Sequence, residues 1–155
     1  MTKAPPLDPF TVFGIEHKLD HADRALEQRY LQLSRELHPD RNRATGAADC
    51  AAVLLRAAEV NDAWRVLQDR WERARALLEL QAPGAMEQHK HLDPDFLLDA
   101  MDLAEQVSLC EPKDVAALQT RIEAQADSVF ASLQAAFARS EEHTSELQSH
   151  SDLVC

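Results

Sequence analysis

Apolar side chains recur at the three- and four-residue spacing of a helix through most of this chain. In the first long segment, one stripe of this kind predicts a helix: Leu26, Tyr30, Leu33 and Leu37. We expect this helix to begin near a capping Asp20 and to end at His38, because Pro39 disfavours helical geometry in the residue before it. The preceding segment, DPFTVFGI, predicts a short helix or turn that ends at Gly14.

A second long stripe predicts that the chain turns back on itself. This helix begins near Ala47 and ends near Gln68, and its stripe is Val53, Ala57, Val60, Trp64 and Leu67. The polar segment DRNRATGAAD separates the two helices, so we expect an antiparallel helical hairpin. A further helix, WERARALLEL, ends where Pro83 and Gly84 interrupt the pattern. These elements define a first domain over residues 8–82.

After a linker at residues 83–92, residues 93–138 predict a second helical domain. Asp93 can cap its first helix and Pro94 suits the first helical position. The stripe expected to face the core is Phe96, Ala100, Leu103 and Val107. The stripe of the last helix is Val115, Leu118, Ile122, Val129 and Leu133, extended by Phe130 and Phe137. Two long helices make a thin core, so we expect a truncated antiparallel bundle.

The helix after Asp93 carries a second apolar group outside its core stripe. Its members and their acidic neighbours are Leu97, Leu98, Met101, Asp102 and Glu105. At about 100° per residue, the three apolar members point roughly 100° to 200° away from Phe96. A surface helix needs only one apolar stripe, so a second one with an acidic rim is consistent with a docking surface. The pattern leaves equally open that this face packs on a neighbouring domain or a missing helix.

Residues 139–155 differ in character from the Ala-rich helical segment before them. RSEEHTSELQSH breaks that pattern, and a codon string able to encode almost all of it resembles a common sequencing-library adapter. We expect a translated artefact from Arg139 onward. The alternative is a disordered acidic tail, which the Ser and Glu content also favours. In either case the segment is excluded from functional interpretation.

Composition narrows the class of protein. The residue usage, with 3 Gly and little β-branched alternation, favours an all-α fold. A formal net charge of -11 argues against a general nucleic-acid surface. The 3 cysteines are isolated, so neither a zinc knuckle nor a disulfide framework is indicated. With no membrane-length apolar run and no secretion signal, a reducing cytoplasm fits best.

No residue set in the sequence supports an enzyme, a cofactor or a resident metal. The segment HKHLDPD alternates His and Asp at His89, His91, Asp93 and Asp95, a pattern that could bind a metal. In a linker before a capped helix, a solvated loop is the favoured interpretation. We therefore expect a binding protein.

The tripeptide His38-Pro39-Asp40 lies where the predicted hairpin turns. A plain helix terminator is the simple interpretation. Together with VNDAWRVL in the second helix, however, it resembles the J-domain of DnaJ-type co-chaperones, where an HPD tripeptide joins helices II and III and INxAYxxL is typical of helix III. The resemblance implies that this region contacts a DnaK-type ATPase and promotes ATP hydrolysis by that partner. The contacting residues that it implies are the tripeptide and nearby cations: His38, Pro39, Asp40, Arg29, Arg35 and Arg41.

Residues 8–138 as a whole resemble the HscB family of iron–sulfur co-chaperones. FTVFGI is similar to that family's FTLFGL-like first helix, RARALLEL to its RAxxLLxL segment, and FLLDAMDLAEQV to its FLMEQLELREEL. The family's last bundle helix has no counterpart here. The resemblance implies an HscA-type ATPase partner, an IscU-type cluster scaffold, a bacterial cytoplasmic location and a scaffold-binding set: Leu97, Leu98, Met101, Asp102 and Glu105. The alternatives are a general J-protein that presents unfolded clients to DnaK and an acidic helical scaffold without a chaperone partner.

Overall fold

A computed structural model describes residues 8–38, 47–88 and 90–151 of the chain. Over these ranges the protein is helical and contains no strand, which confirms the predicted all-α class. The helices are α1 (Pro9–Phe13), α2 (Asp23–Glu36), α3 (Ala47–Leu67), α4 (Arg70–Gln81), α5 (Ala85–Gln88), α6 (Pro94–Ser108) and α7 (Val115–Ser151). They fall into two compact units, Met1–Ala85 and Met86–Cys155.

The first unit is built around α3. Helices α1, α2 and α4 all pack against it, and α1 makes the most extensive contact. The predicted stripes of α2 and α3 supply much of this core, and the short α1 adds the fully or almost fully buried side chains of Phe10, Val12 and Phe13. The buried apolar side chains of the unit are Phe10, Val12, Phe13, Leu19, Leu26, Leu33, Val60, Ala63, Leu67, Ala74 and Leu77.

Helix α1 begins and ends at residues whose chemistry suits those positions. At its start the Asp8 carboxylate accepts a hydrogen bond from the Phe10 amide at 3.0 Å. Burial alone would raise the pKa of Asp8, but hydrogen bonds from His17, Thr11 and the Phe10 amide hold that pKa below its ordinary value. The stabilising effect of this cap is therefore lost as pH falls through the lowered folded-state pKa. At the other end Gly14 adopts φ 64°, which confirms the predicted stop.

The start of α2 is fixed by a buried arginine instead of the predicted cap. Asp20 does not cap α2; the N-cap residue is Ala22, which has no side-chain capping bond. From α4, Arg73 donates to the His21 carbonyl at 3.0 Å and to the Asp23 carboxylate at 2.9 Å. The sequence prediction was wrong here because the partner lies about fifty residues away and leaves no local signal.

Replacing Arg73 is expected to destabilise the first unit strongly. Its side chain is 3 % exposed, and its Nε has no hydrogen-bond partner. Arg73→Ala removes two charge-assisted bonds and leaves a void, so we expect a loss of about 2–4 kcal/mol. Arg75→Ala, on the same helix but 66 % exposed, should cost less than about 0.5 kcal/mol. Urea unfolding followed by tryptophan fluorescence measures the stability of the two variants, because both tryptophans lie in this unit. Equal losses of stability would contradict the structural role assigned to Arg73.

A second pair of variants tests whether α3 is the centre of this core. Leu67 is fully buried and Leu55, on the same helix, is 65 % exposed. Leu67→Ala should lower the free energy of unfolding by about 2–5 kcal/mol, whereas Leu55→Ala should change it by less than about 0.5 kcal/mol. The same urea titration distinguishes them. A similar cost for both variants would show that Leu67 is not a core residue.

In the second unit, α6 begins as predicted, but its predicted core stripe is not buried against another element. The Asp93 side chain accepts from the Asp95 amide at 2.9 Å, and Pro94 opens α6, so both predictions are confirmed. The predicted core stripe is not buried, since Phe96 is 57 % and Val107 53 % exposed. This prediction was wrong because a helix buries a stripe only where another element covers it. Helix α7 meets α6 through few contacts, among them a hydrogen bond from Arg121 to Gln106.

Helix α7 is longer than the sequence pattern predicts. Its stripe includes two buried residues, Phe130 and Phe137, which are 9 % and 8 % exposed. The helix does not end at residue 138, where the Ala-rich pattern stops, but continues to Ser151. Residues 139–151 contain neither Pro nor Gly and include several good helix formers, so no residue in them breaks the helix. The foreign origin of this segment stays a prediction.

Candidate functional site

The predicted ATPase-binding tripeptide follows directly on α2. The helix ends at Glu36, two residues before the predicted end, and Leu37 is its C-cap. His38 is exposed, and its backbone amide donates to the Arg35 carbonyl at 3.4 Å. Pro39, Asp40 and Arg41 lie outside the described residues. Of the tripeptide, the structure thus locates His38, which lies at the surface just beyond α2.

The cations predicted to assist this tripeptide occupy different environments. Arg35 is exposed in the last turn of α2, three residues before His38. Arg29, two turns earlier, is partly buried, and its Nε donates to the Phe13 carbonyl of α1 at 2.8 Å. The guanidinium of Arg29 therefore makes a hydrogen bond within the first unit.

The VNDAWRVL segment holds the hairpin together. Asn61 accepts a hydrogen bond from the Tyr30 hydroxyl at 3.0 Å, which joins α3 to α2. The Trp64 ring stacks on Tyr30, with centroids 4.9 Å apart, and on Phe13 at 6.3 Å; both pairs are nearly parallel. Ala63 is 4 % exposed between the helices. The motif residues that carry the J-domain resemblance thus fix α1, α2 and α3 relative to one another.

The second predicted site is a surface of α6 that we call the docking strip: Leu97, Leu98, Met101, Asp102 and Glu105. All five side chains are exposed, and the three apolar ones are 46 %, 60 % and 69 % exposed, in chain order. Exposure alone does not single out the strip, because the neighbouring Phe96 is equally open. Two acidic members of the strip, Asp102 and Glu105, lie beside these apolar side chains, and a basic partner surface would complement them.

Helix α6 is acidic as a whole. Its sequence contains Asp95, Asp99, Asp102 and Glu105 and no Lys or Arg. Exposed apolar side chains within a uniformly acidic helix favour a protein partner that combines apolar and basic groups. The same charge disfavours a nucleic-acid or anionic lipid partner on this helix.

Several other kinds of site have no counterpart in the part of the chain that the structure describes. There, no group of three or more His, Cys, Asp or Glu side chains could hold a metal ion. His91, Asp93 and Asp95 are described without forming such a group, whereas His89 lies outside the described residues. The described helices include none that is both long and apolar enough for a membrane span. Cys50 and Cys110 are free thiols.

Two arginines with long-range contacts were missed by sequence reasoning. Arg73 joins α4 to the start of α2, and Arg56 on α3 donates to the Val12 carbonyl of α1 at 2.9 Å. A signal existed for Arg73, which lies four residues before the buried Leu77 and therefore on the buried face of α4. The same signal existed for Arg56, which lies four residues before the buried Val60 of α3.

Comparison with known proteins gives a match to a family model and likenesses to solved structures. A family model described as the HSCB C-terminal oligomerisation domain matches residues 92–154. The crystal structure of human co-chaperone protein HscB is similar at TM-score 0.76 and 22 % identity, over 91 % of this chain and 73 % of that chain. Chaperone HscB from Vibrio cholerae is similar at TM-score 0.71 and 28 % identity, over 92 % of this chain and 87 % of that chain. The structural likeness therefore includes both units.

Proposed function

We propose that this chain acts as a co-chaperone of the HscB type in iron–sulfur cluster assembly, which its domain match and structural likenesses support. In this role it stimulates the ATPase of an HscA/DnaK-type chaperone and delivers an IscU-type scaffold to that chaperone. The chaperone performs the ATP hydrolysis, so the chain acts as a co-chaperone and not as an enzyme. By the same resemblance we propose that it acts in a bacterial cytoplasm.

The ATPase half is supported by the position of His38-Pro39-Asp40 in the sequence, between α2 and α3, two helices that pack together. His38 is exposed beyond α2, and α3 follows the segment. Pro39 has a fixed φ and no amide hydrogen, which limits the paths the chain can take out of the helix. The Asp40 carboxylate can accept a charge-assisted hydrogen bond from an arginine on the chaperone, and His38 offers a donor and an acceptor beside it.

The scaffold half is supported by the docking strip. Its apolar side chains are exposed on α6 and its acidic residues border them. A chain that holds the scaffold at the strip and the chaperone at His38-Pro39-Asp40 raises the effective concentration of the scaffold at the chaperone. This linkage is what a delivery function requires.

Steady-state ATPase assays and pull-downs with the purified chain test this function and separate it from the alternatives. We expect the chain to accelerate ATP hydrolysis by an HscA-type chaperone and to retain an IscU-type scaffold in preference to an unfolded peptide. Retention of the peptide and stimulation of DnaK alone would instead support a general J-protein. No ATPase response from either chaperone would support an acidic scaffold without a chaperone partner and reject the proposal.

A further inference from the structure

The C-terminal end of α1 has an unusual set of hydrogen-bond partners. A helix leaves its last four carbonyl groups without partners inside the helix. Two of the four in α1 accept from backbone amides that follow the helix. The Gly14 amide donates to the Thr11 carbonyl, and the Ile15 amide to the Phe10 carbonyl, each at 3.1 Å. The other two carbonyls need partners from elsewhere.

Two arginines from other helices supply those partners. Arg56 on α3 donates through Nη2 to the Val12 carbonyl at 2.9 Å, and Arg29 on α2 donates through Nε to the Phe13 carbonyl at 2.8 Å. The C-terminal end of a helix carries partial negative charge, so two cations there are favourable. Together they tie α1 to both helices of the hairpin. We call Arg29 and Arg56 the α1 clamp.

The surroundings of the α1 clamp restrict how each arginine can be placed. A Cβ atom added at Gly14 would lie 3.3 Å from Arg29 Nη2, so the guanidinium packs closely against the glycine. Gly14 also has φ 64°, where a side chain is rarely accommodated. The second nitrogen of Arg56, Nη1, donates to Glu59 at 3.0 Å, which orients that guanidinium.

The position of α1 is coupled to the spacing of α2 and α3 through aromatic rings. Phe13, whose carbonyl accepts from Arg29, stacks on Trp64 of α3. Trp64 in turn stacks on Tyr30 of α2, the residue next to Arg29. A shift of α1 would therefore disturb the packing between the two helices that flank residues 39–46.

We propose that Arg29 and Arg56 are positioning residues that hold α1 on the hairpin and so set the geometry in which His38 is presented. Of the two described arginines predicted to bind the chaperone, Arg35 is the one that contacts it. Arg35 is exposed and its carbonyl accepts from the His38 amide, whereas Arg29 is directed into the fold. This inference rests on the proposed function.

The isolated chain allows a first test of the α1 clamp. Arg29→Gln and Arg56→Gln should each speed hydrogen exchange of the Gly14 and Ile15 amides by about three- to tenfold, the effect of losing one hydrogen bond. Both should also alter the near-ultraviolet circular dichroism of the stacked aromatic residues. Arg35→Gln, which removes the same charge from an exposed position, should change neither signal. Unchanged exchange and dichroism in Arg29→Gln would overturn the clamp.

The salt dependence of ATPase stimulation gives the second test. Arg35→Gln should raise the concentration needed for half-maximal stimulation about two- to fivefold and flatten its dependence on salt, because one intermolecular charge contact is lost. The two clamp variants should raise that concentration with the wild-type salt dependence, because fewer molecules hold the competent geometry. A flattened dependence in Arg29→Gln equal to that of Arg35→Gln would overturn the inference.

The inference remains testable if a variant does not fold or if the wild-type chain stimulates no chaperone. If Arg29→Gln does not fold, Arg56→Gln removes the other bond of the α1 clamp and gives the same comparison with Arg35→Gln. If the wild-type chain stimulates no chaperone, the proposed function fails. The exchange and dichroism of the isolated chain then still decide whether the two arginines hold α1.

Discussion

Asp40→Asn is expected to abolish stimulation of the chaperone's ATPase while leaving the fold intact. The change keeps the size of the side chain and removes the charge that a partner arginine would recognise. A hydrogen bond to a charged group is worth about 1.5–3 kcal/mol, so binding should weaken by about ten- to a hundredfold. Steady-state ATP hydrolysis by an HscA-type chaperone, measured against the concentration of the variant, gives this result directly.

Asp62→Asn is the matched control for that measurement. Asp62 is exposed on α3, so its substitution removes the same charge from the same unit without touching the tripeptide. Stimulation by Asp62→Asn should stay within about twofold of wild type, since isolated surface charges contribute little. If Asp40→Asn stimulated as well as Asp62→Asn, the assignment of the ATPase site to His38-Pro39-Asp40 would be wrong.

The double substitution Leu98→Ala and Met101→Ala is expected to remove most of the affinity for the scaffold. These are the two most exposed apolar residues of the docking strip, at 60 % and 69 %. If these two residues form the hot spot of the interface, their loss costs about 2 kcal/mol or more, so the dissociation constant should rise by at least about thirtyfold. Isothermal titration calorimetry with an IscU-type scaffold measures the change. Because both side chains are exposed, the free energy of unfolding should change little.

Val107→Ala is the matched control for the docking strip. Val107 lies on the same helix and is 53 % exposed, but it belongs to the stripe on the other side of α6. We expect its dissociation constant to stay within about twofold of wild type. If Val107→Ala weakened binding as much as the double substitution, the contact surface would be the open stripe around Phe96 and not the docking strip.

The start and end signals of the helices could be predicted well from local chemistry. Gly14 ends α1, and Asp93 with Pro94 opens α6, because the capping bond or the fixed φ depends on residues only a few positions apart. Asp20 failed as a cap because Arg73, far along the chain, holds the start of α2. Periodicity can place Arg73 on the buried face of α4, but only the structure shows which distant groups its guanidinium contacts.

The open stripe of α6 shows a different limit of sequence interpretation. Spacing established correctly that Phe96 and Val107 share a face, but it could not establish whether another element covers that face. The structure leaves both exposed. The same periodicity singled out the docking strip but left open whether it was exposed or packed; its residues are exposed, and its role in binding depends on the family resemblance.

The environments of the arginines predicted for the ATPase site could not be predicted from the sequence. Charge and position on α2 gave no reason to separate Arg29 from Arg35. Only the structure shows that one reaches the Phe13 carbonyl and the other faces solvent. Long cationic side chains can lie along a fold or extend from it, so sequence alone does not decide between the two.

A complementation assay tests the central claim, that one chain links the scaffold to the chaperone. Stimulation of an HscA-type ATPase by scaffold is measured with Asp40→Asn, with Leu98→Ala/Met101→Ala, and with an equimolar mixture of the two. The account predicts that the mixture fails to reproduce the wild-type rate, because the gain in effective concentration requires both sites on one molecule. Full recovery of the wild-type rate in the mixture would contradict it.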